Sequence, residues 1–295
     1  MSIDGRRVVV TGMGLLSCCG KTVEENWKNI SEGIPGYDSI TAFDVSEYSS
    51  QVGGEVKDFD PLEYIDRKES KRMDRSAQLA MAASVEVMKS LEGFDYDGND
   101  IGTVIASGIG GIWTFETQHS NLINKGPSKI SPFFIPMMIA DMPAGLVSIK
   151  YGLKGPNFAT VSACASAGHG IATSYMMIKQ GYTKAVLTGG TEATISPMAL
   201  GGFCSMKALS TRNDDPGKAS RPFDVDRDGF VMAEGSGLVL LEDLEYARAR
   251  GAEIYAELVG VGLTGDAHHI TSPAPGGAGA VAAMRMALRD AAIEP

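Results

Sequence analysis

The sequence predicts an α/β fold in which helices are layered over β-strands. Short apolar runs that end in glycine, typical of buried strands, alternate with segments whose apolar residues recur at helical spacing. The chain has 295 residues, of which 44% are hydrophobic and 21% are charged, so a disordered, collagenous or coiled-coil protein is excluded. Its length corresponds to one large domain or two ordinary ones.

The predicted elements follow one another in chain order. A helix is predicted after Thr22, because Glu24 and Glu25 would then lie in its first turn, beside the positive end of the helix dipole. Strands are predicted at 7–14, ending in a tight turn at its glycines, and at 101–106, 158–161, 183–187, 237–241 and 254–261. Further helices are predicted at 74–91, 137–149, 165–180 and 278–292.

Two segments of the chain resemble each other. Residues 8–15 and 256–263 each form a largely apolar run that closes on Gly-x-Gly-Leu. The repeat is either chance, since Gly-x-Gly commonly follows a strand, or the start near residue 251 of a second copy of the first half. The pattern of residues leaves both explanations open.

Charge and cysteine content limit the expected partners and compartment. Lys and Arg total 26 and Asp and Glu total 36, so the formal net charge is −10 and general binding to nucleic acid is not expected. The four cysteines, Cys18, Cys19, Cys164 and Cys204, show neither metal-ligand spacing nor a disulfide framework. No run of 18 apolar residues and no signal-peptide core is present. These observations predict a soluble cytoplasmic protein with free thiols, without a metal site and without a membrane segment.

The segment around Cys164 carries the most chemistry. A predicted strand ends there, the chain turns, and a helix begins at or next to Cys164; its residues are small or apolar on nearly every side, which predicts a buried central helix. A thiol at a helix N-terminus faces unpaired N–H groups and the positive end of the dipole, which favour the thiolate and suit a nucleophile. The alternative is a buried packing cysteine. His169 lies about 140° around the helix from Cys164 and is interpreted as a packed core histidine.

Residues 161–169 resemble the nucleophile motif of the β-ketoacyl-acyl-carrier-protein synthases, the condensing enzymes of fatty-acid synthesis. Other segments resemble the same family, most closely its synthase II type, in family order: 7–14, 67–69, 130–136, 151–156, 208–213, 220–224, 228–231 and 270–273. The resemblance implies a thiolase-like layered α-β-α-β-α fold with duplicated halves, which favours duplication as the origin of the internal repeat. Residues 1–250 would form the N-terminal half with the nucleophile, and residues 251–295 the incomplete start of the C-terminal half.

The resemblance also implies the chemistry of the site. Cys164 would accept an acyl chain from acyl carrier protein, its N–H would form half of an oxyanion hole, and decarboxylating malonyl-carrier protein would then attack the thioester to give a 3-oxoacyl chain. Ile109 and Phe203 match acyl-pocket positions, and Phe134 matches a residue that lines the pocket from the partner subunit. His269 and Thr271 match the pantetheine and malonyl entrance. No separate cofactor is implied.

The implied partners are acyl carrier protein and a second copy of the chain. Carrier proteins are acidic, so an enzyme of net negative charge needs a local basic patch to bind one. The residues expected to dock the carrier protein are Arg67, Lys68, Lys71, Arg72, Lys129 and Lys207.

The sequence departs from the family in its histidines. The family's decarboxylation histidines, in a His-Gly-Thr motif and a later Gly-His segment, and its gating phenylalanine have no counterpart. The four histidines are His119, His169, His268 and His269, and none stands in those contexts. A fragment or a partial sequence of a longer protein is therefore expected, in preference to a degenerate protein.

Three rival functions are weighed against this one. A dinucleotide-binding protein is disfavoured, because Gly12 and Gly14 are followed by Ser17 where the third glycine should stand. A non-catalytic partner subunit of a condensing pair would lack the nucleophile, so Cys164 argues against it. A polyketide-type synthase shares the chemistry, and the pocket residues do not distinguish it.

Overall fold

A computed structural model describes residues 5–295 of the protein and places helices on both faces of a six-stranded sheet. The strands are β1 (Val8–Ser17), β2 (Asp38–Ser39), β3 (Val52–Gly54), β4 (Ile101–Ala106), β5 (Asn157–Phe158), β6 (Ala185–Glu192), β7 (Met232–Ala233), β8 (Gly235–Asp243) and β9 (Ala256–Leu258). The large sheet has the order β5-β4-β6-β8-β1-β9, in which β4 is parallel to β5 and β6, and the remaining neighbours are antiparallel. Strands β2, β3 and β7 form a small separate sheet.

The described residues form ten α-helices, and polar side chains cap the start of two of the predicted ones, α1 and α3. The helices are α1 (Val23–Ser31), α2 (Arg67–Ser70), α3 (Arg75–Met88), α4 (Ile112–Lys125), α5 (Phe134–Met138), α6 (Met142–Tyr151), α7 (Ser166–Lys179), α8 (Pro197–Ser205), α9 (Leu244–Ala249) and α10 (Ala278–Ala291). Thr22 Oγ1 accepts the Glu25 N–H at the start of α1, and Asp74 accepts the Ser76 N–H at the start of α3. The longest helices have 14 residues, and among residues 5–295 no helix is long and apolar enough to cross a membrane.

Alternate residues of the central strands face two different helix layers. Ile101 and Ile105 of β4 pack in one core with α3 and α6. Val104, which points to the other face of the strand, packs in a second core with Tyr175 and Ile178 of α7. The sheet is therefore covered by helices on both sides, as the layered α/β prediction requires.

The internal repeat corresponds to one strand–helix contact made twice. Each glycine of the repeat is too close to a helix to carry a side chain. A Cβ atom would lie 2.8 Å from the Val87 oxygen at Gly12, 2.2 Å from the Ala83 oxygen at Gly14, 2.5 Å from the Ala287 oxygen at Gly260 and 2.0 Å from the Ala283 oxygen at Gly262. In both copies two glycines, two positions apart, face helix residues four positions apart, on α3 and on α10. This equivalence supports duplication over chance.

The predicted tight turn at Gly12 and Gly14 is wrong. Strand β1 runs through both residues to Ser17, with a bulge between Val10 and Gly12. The glycines serve the close approach of α3 and not a reversal of the chain. Strand β6 likewise runs past its predicted end at residue 187 and through two glycines to Glu192.

The predicted helix over residues 137–149 is two helices. Helix α5 ends at Met138 and α6 begins at Met142, with Pro143 in its first turn. Proline is compatible with a helix start because its missing N–H would be unpaired there, whereas inside a helix it breaks the hydrogen-bond ladder.

Two predicted strands are much shorter in the structure. Strand β5 has two residues, because residues 159–162 leave the sheet toward the turn at Cys164. Strand β9 has three residues, since its partner β1 pairs with it only at Val8, Val9 and Val10. The sequence pattern overestimates both, because an apolar run does not show where a neighbouring strand ends.

Helix α7 is buried or half-buried at every residue except Gly168, as expected for the predicted central helix. Gly170, Ser174 and Ile178 are buried against the sheet, whereas Gly168 is exposed. Tyr175 Oη donates to the Val259 carbonyl oxygen at 3.1 Å, which ties the helix to the segment after β9.

Candidate active site

Cys164 lies on a tight turn directly before α7, where the sequence predicts a helix start. Residues Ala163–Ala165 form one 3-10 turn, and the α-helix begins at Ser166. Ala163 has a φ of 51°, a left-handed conformation that costs roughly 1–2 kcal/mol for a residue other than glycine. The Cys164 side chain is exposed. The strained turn thus presents the thiol at the surface, next to the N-terminus of a helix.

Side-chain hydrogen bonds hold this turn in place. Ser166 Oγ donates to the Ala163 carbonyl oxygen at 2.7 Å and accepts the Ser162 N–H at 2.8 Å. Ser166 is buried, so these hydrogen bonds are costly to lose. His169 Nδ1 lies 2.7 Å from Ser162 Oγ, which agrees with the interpretation of His169 as a structural residue. The sequence does not predict the part played by Ser162 and Ser166.

The thiol opens onto a cavity of about 660 Å³. Ile109, Phe203 and Phe230 form its apolar walls, and the rings of Phe203 and Phe230 meet edge-on with their centroids 5.4 Å apart. Apolar walls with few polar groups suit an aliphatic chain. The structure therefore brings Cys164 together with two of the predicted acyl-pocket residues, Ile109 and Phe203, whose roles stay predictions.

Glu192 is a polar residue of the cavity wall that the sequence does not predict. This residue ends β6, and its carboxylate accepts hydrogen bonds from Ser107 Oγ and from the Gly108 N–H in the turn after β4. Burial raises the pKa of Glu192, although these hydrogen bonds act in the opposite direction. The sequence does contain a signal for Glu192, because ligand sites in α/β folds form at the carboxyl ends of parallel strands. The prediction misses this residue because the strand was expected to end at residue 187.

The other predicted substrate-binding residues lie outside this cavity. Phe134 is in α5, with its ring centroid 6.5 Å from that of Phe115. His269 and Thr271 lie in the exposed segment after β9, where His269 Nδ1 accepts the N–H groups of Thr271 and Ser272, each at 3.1 Å. Their predicted roles, a pocket wall for the partner subunit and a pantetheine entrance, stay predictions.

The residues predicted to dock a carrier protein are exposed. Four of them fall in or just after α2, one is in the short turn before α5 and one follows α8: Arg67, Lys68, Lys71, Arg72, Lys129 and Lys207. The Arg72 guanidinium lies over the Phe133 ring, 4.4 Å from its centroid, which joins the α2 cluster to the segment before α5.

The remaining cysteines differ from Cys164 in their surroundings. Cys18, Cys19 and Cys204 are half-buried. Burial, with a smaller contribution from Cys19, raises the pKa of Cys18 to about 12. No group of three or more His, Cys, Asp or Glu side chains in residues 5–295 is arranged to hold a metal ion.

The layered fold is that of the thiolase-like ketosynthases. A beta-ketoacyl synthase from Burkholderia phymatum matches with a TM-score of 0.89 at 31% identity, covering 98% of this chain and 71% of that one. A type II PKS acyl-carrier protein in complex with its ketosynthase, AntDE:AntF, matches with a TM-score of 0.88 at 30% identity, covering 99% and 71%.

The chain belongs to the beta-ketoacyl synthase family, whose N-terminal domain matches residues 5–247 and whose C-terminal domain matches residues 255–295. Its relatives include 3-oxoacyl-acyl-carrier-protein synthase 2 of Synechocystis sp., at 49% identity over all of this chain and 71% of that protein. The protein of the same name from Staphylococcus aureus is 51% identical, over 99% of this chain and 71% of its own length. The family predicted from the Cys164 motif is confirmed.

Proposed function

We propose that this protein is a condensing enzyme of fatty-acid biosynthesis that elongates acyl chains carried by acyl carrier protein. The observation that carries the proposal is the exposed Cys164 thiol, held by a strained turn at the start of α7 and open to an apolar cavity of about 660 Å³. The names of the relatives at 49% and 51% identity support the same reaction.

The first step is a transfer between thioesters. The Cys164 sulfur bonds to the acyl carbonyl carbon, the carbon–sulfur bond to the pantetheine breaks, and the carrier protein leaves as the free thiol. The start of α7 supplies N–H groups and a positive dipole end toward the thiolate and the developing oxyanion. The aliphatic chain would lie between Ile109 and Phe203, where burial of its methylene groups stabilises the bound state.

The second step joins the acyl group to malonyl-carrier protein. Loss of carbon dioxide leaves a carbanion, which bonds to the thioester carbonyl carbon and expels the Cys164 thiolate, giving 3-oxoacyl-carrier protein. This step is proposed from the relatives, because none of the four histidines of the chain stands in the motifs expected for decarboxylation.

The proposed carrier-protein contact is the basic cluster of α2. Charge reversal at Lys68 and Lys71 together should slow transfer from an acyl-carrier protein about tenfold, because close complementary charges chiefly raise the association rate. Transfer from a free acyl-pantetheine thioester should not change. Lys28→Glu, on the exposed face of α1, is the control. Equal slowing with both donors would contradict docking at α2.

The proposed assembly is a homodimer. Strand β5 is an edge of the large sheet, and the exposed apolar side chains Phe133, Ile135 and Ile139 surround Phe134 at α5. A second copy covering this segment would bring Phe134 to the partner's cavity, as the resemblance implies.

The proposed compartment is the reducing cytoplasm, and the proposed boundary between the two halves lies near residue 250.

A polyketide-type ketosynthase is the second candidate, favoured by the structural match to AntDE:AntF at 30% identity. The relatives at 49% and 51% favour fatty-acid elongation.

The acyl-transfer step is tested with radiolabelled octanoyl-carrier protein. Label should become bound to the protein, be released by hydroxylamine as expected for a thioester, and be lost in Cys164→Ala. Label that survives in Cys164→Ala would contradict the proposed function.

A further inference from the structure

We propose that Glu192 is a positioning residue that anchors the turn of residues 107–110 and thereby fixes Ile109 at the wall of the cavity beside Cys164. The inference rests on the proposed function, because it concerns how that cavity accepts an acyl chain. The role proposed for Glu192 is to position this turn and not to take part in the transfer.

Within the part of the chain that the structure describes, the Glu192 carboxylate accepts hydrogen bonds only from this turn. Gly108 N–H donates to Oε2 at 2.7 Å, Ser107 Oγ donates to Oε1 at 2.9 Å, and the Ile109 N–H lies 3.4 Å from Oε1. Ser107 Oγ in turn accepts the Gly110 N–H at 2.9 Å. Each residue of the turn is thus connected to the carboxylate, directly or through Ser107, by bonds that the negative charge strengthens.

The sheet places Glu192 over the turn. Strands β4 and β6 are parallel, with Ala106 opposite Gly190, so the end of β6 lies beside the chain as it leaves β4. The fit is close, since a Cβ atom on Gly108 would lie 2.8 Å from Glu192 Oε2 and 3.6 Å from the Ala163 carbonyl oxygen. The turn is therefore held between Glu192 and the turn that carries Cys164.

Among residues 5–295, no cation balances the Glu192 carboxylate. Glu192 forms no ion pair in this part of the chain. Burial raises the pKa of its carboxyl group. A half-buried carboxylate without a cationic partner is costly unless hydrogen bonds satisfy it. Here those bonds come from the turn, so carboxylate and turn stabilise each other.

The consequence concerns the length of the acyl chain. Ile109 is 44% exposed and lines the cavity, so its position decides how much room lies beyond the thiol. With the anchor weakened, Ile109 would move into that space. An acetyl group, which stays at the thiol, would be accepted as before, whereas an octanoyl chain would meet the displaced side chain.

The test compares Glu192→Gln with a matched control, Glu55→Gln. Glu55 is a buried carboxylate that also anchors a loop, accepting the Thr41 and Ala42 N–H groups and the Thr41 hydroxyl, but it does not line the Cys164 cavity. Two measurements are made on the full chain. One is the ratio of Cys164 acylation rates with octanoyl- and acetyl-pantetheine thioesters, and the other is amide hydrogen exchange of residues 107–110.

In Glu192→Gln we expect exchange of residues 107–110 to accelerate and the octanoyl-to-acetyl ratio to fall about tenfold, the effect of losing one hydrogen bond to a charged group. Glu55→Gln should change neither quantity. Unchanged exchange in Glu192→Gln would overturn the anchoring role, and an unchanged ratio, or an equal fall in Glu55→Gln, would overturn the role in chain length. Wild-type protein that is not acylated at all would instead count against the proposed function, while the exchange measurement still decides whether Glu192 anchors the turn.

Discussion

Replacing Ser166 by alanine should slow acylation of Cys164 about thirtyfold. The substitution removes two hydrogen bonds, from Ser166 Oγ to the Ala163 carbonyl oxygen at 2.7 Å and from the Ser162 N–H to Ser166 Oγ at 2.8 Å. Each contributes about 1 kcal/mol net, so the pair contributes about 2 kcal/mol. At about 1.4 kcal/mol per factor of ten, that loss corresponds to roughly thirtyfold. It is comparable to the strain of the left-handed Ala163, so the turn should relax when the bonds are removed.

The assay is the second-order rate of acyl transfer to Cys164 from octanoyl-pantetheine thioester, followed by intact mass. Ser174→Ala is the matched control, because Ser174 is also a buried serine of α7 and its Oγ donates to the Gly170 carbonyl oxygen at 2.8 Å, away from the thiol. Both variants should lose a similar small amount of stability.

The two variants should differ in acylation. If Ser166→Ala reacts as fast as wild type, or if Ser174→Ala slows to the same extent, then the hydrogen bonds of Ser166 do not hold the thiol in its reactive position, and the reasoning from the strained turn is refuted.

Two further predictions concern stability. Arg250→Met should destabilise the protein by about 3–5 kcal/mol, because it leaves the Glu242 carboxylate, which is 0% exposed, without its cation. The control is Arg248→Met, which should cost less than about 1 kcal/mol because Arg248 and Glu245 form an exposed ion pair. Urea unfolding midpoints of the two variants would compare the losses of stability. Hydrogen bonds, chiefly from the Ser210 hydroxyl, lower the pKa of Asp228 from an ordinary 3.8 to about 2. The ionised Asp228 carboxylate therefore contributes fully to the free energy of unfolding above pH 3.8, and this contribution is lost as the pH falls through 2. Asp228→Asn should therefore flatten the dependence of the unfolding midpoint on pH in that window, and an unchanged acid dependence would contradict this assignment.

Local patterns predict the elements whose boundaries are themselves local. The strand predicted at 101–106 is found at those residues, because an apolar run is bounded by Asp100 on one side and Ser107 on the other. The helix after Thr22 is found because its cap lies within a few residues of its start. Neither prediction needs a distant partner.

Glycines mislead where their reason lies elsewhere in the chain. Gly12 and Gly14 suggest a turn in the sequence. They are needed instead because Ala83 and Val87 of α3, some 70 positions away, approach the strand too closely for a side chain. The same error ends β6 too early, at the glycines that precede Glu192. A glycine fits a turn and a close contact equally well, so only the packing distinguishes them.

The candidate site likewise has one part that local sequence predicts and another part that distant segments form together. The position of Cys164 is predictable because strand, turn and helix follow one another within a few residues. The cavity is not, since Ile109, Cys164 and Phe203 come from three separate segments. Glu192 illustrates the point, because its bond to Ser107 joins residues 85 positions apart.

The central claim is that Cys164 is the acyl-accepting nucleophile, and the most direct test is peptide mapping after incubation with octanoyl-carrier protein. The three other cysteines are internal controls, because each is half-buried and burial keeps Cys18 protonated, with a pKa of about 12. The account predicts a single octanoyl adduct, on the peptide that contains Cys164. An adduct spread over several cysteines, or none at Cys164 in folded protein, would contradict it.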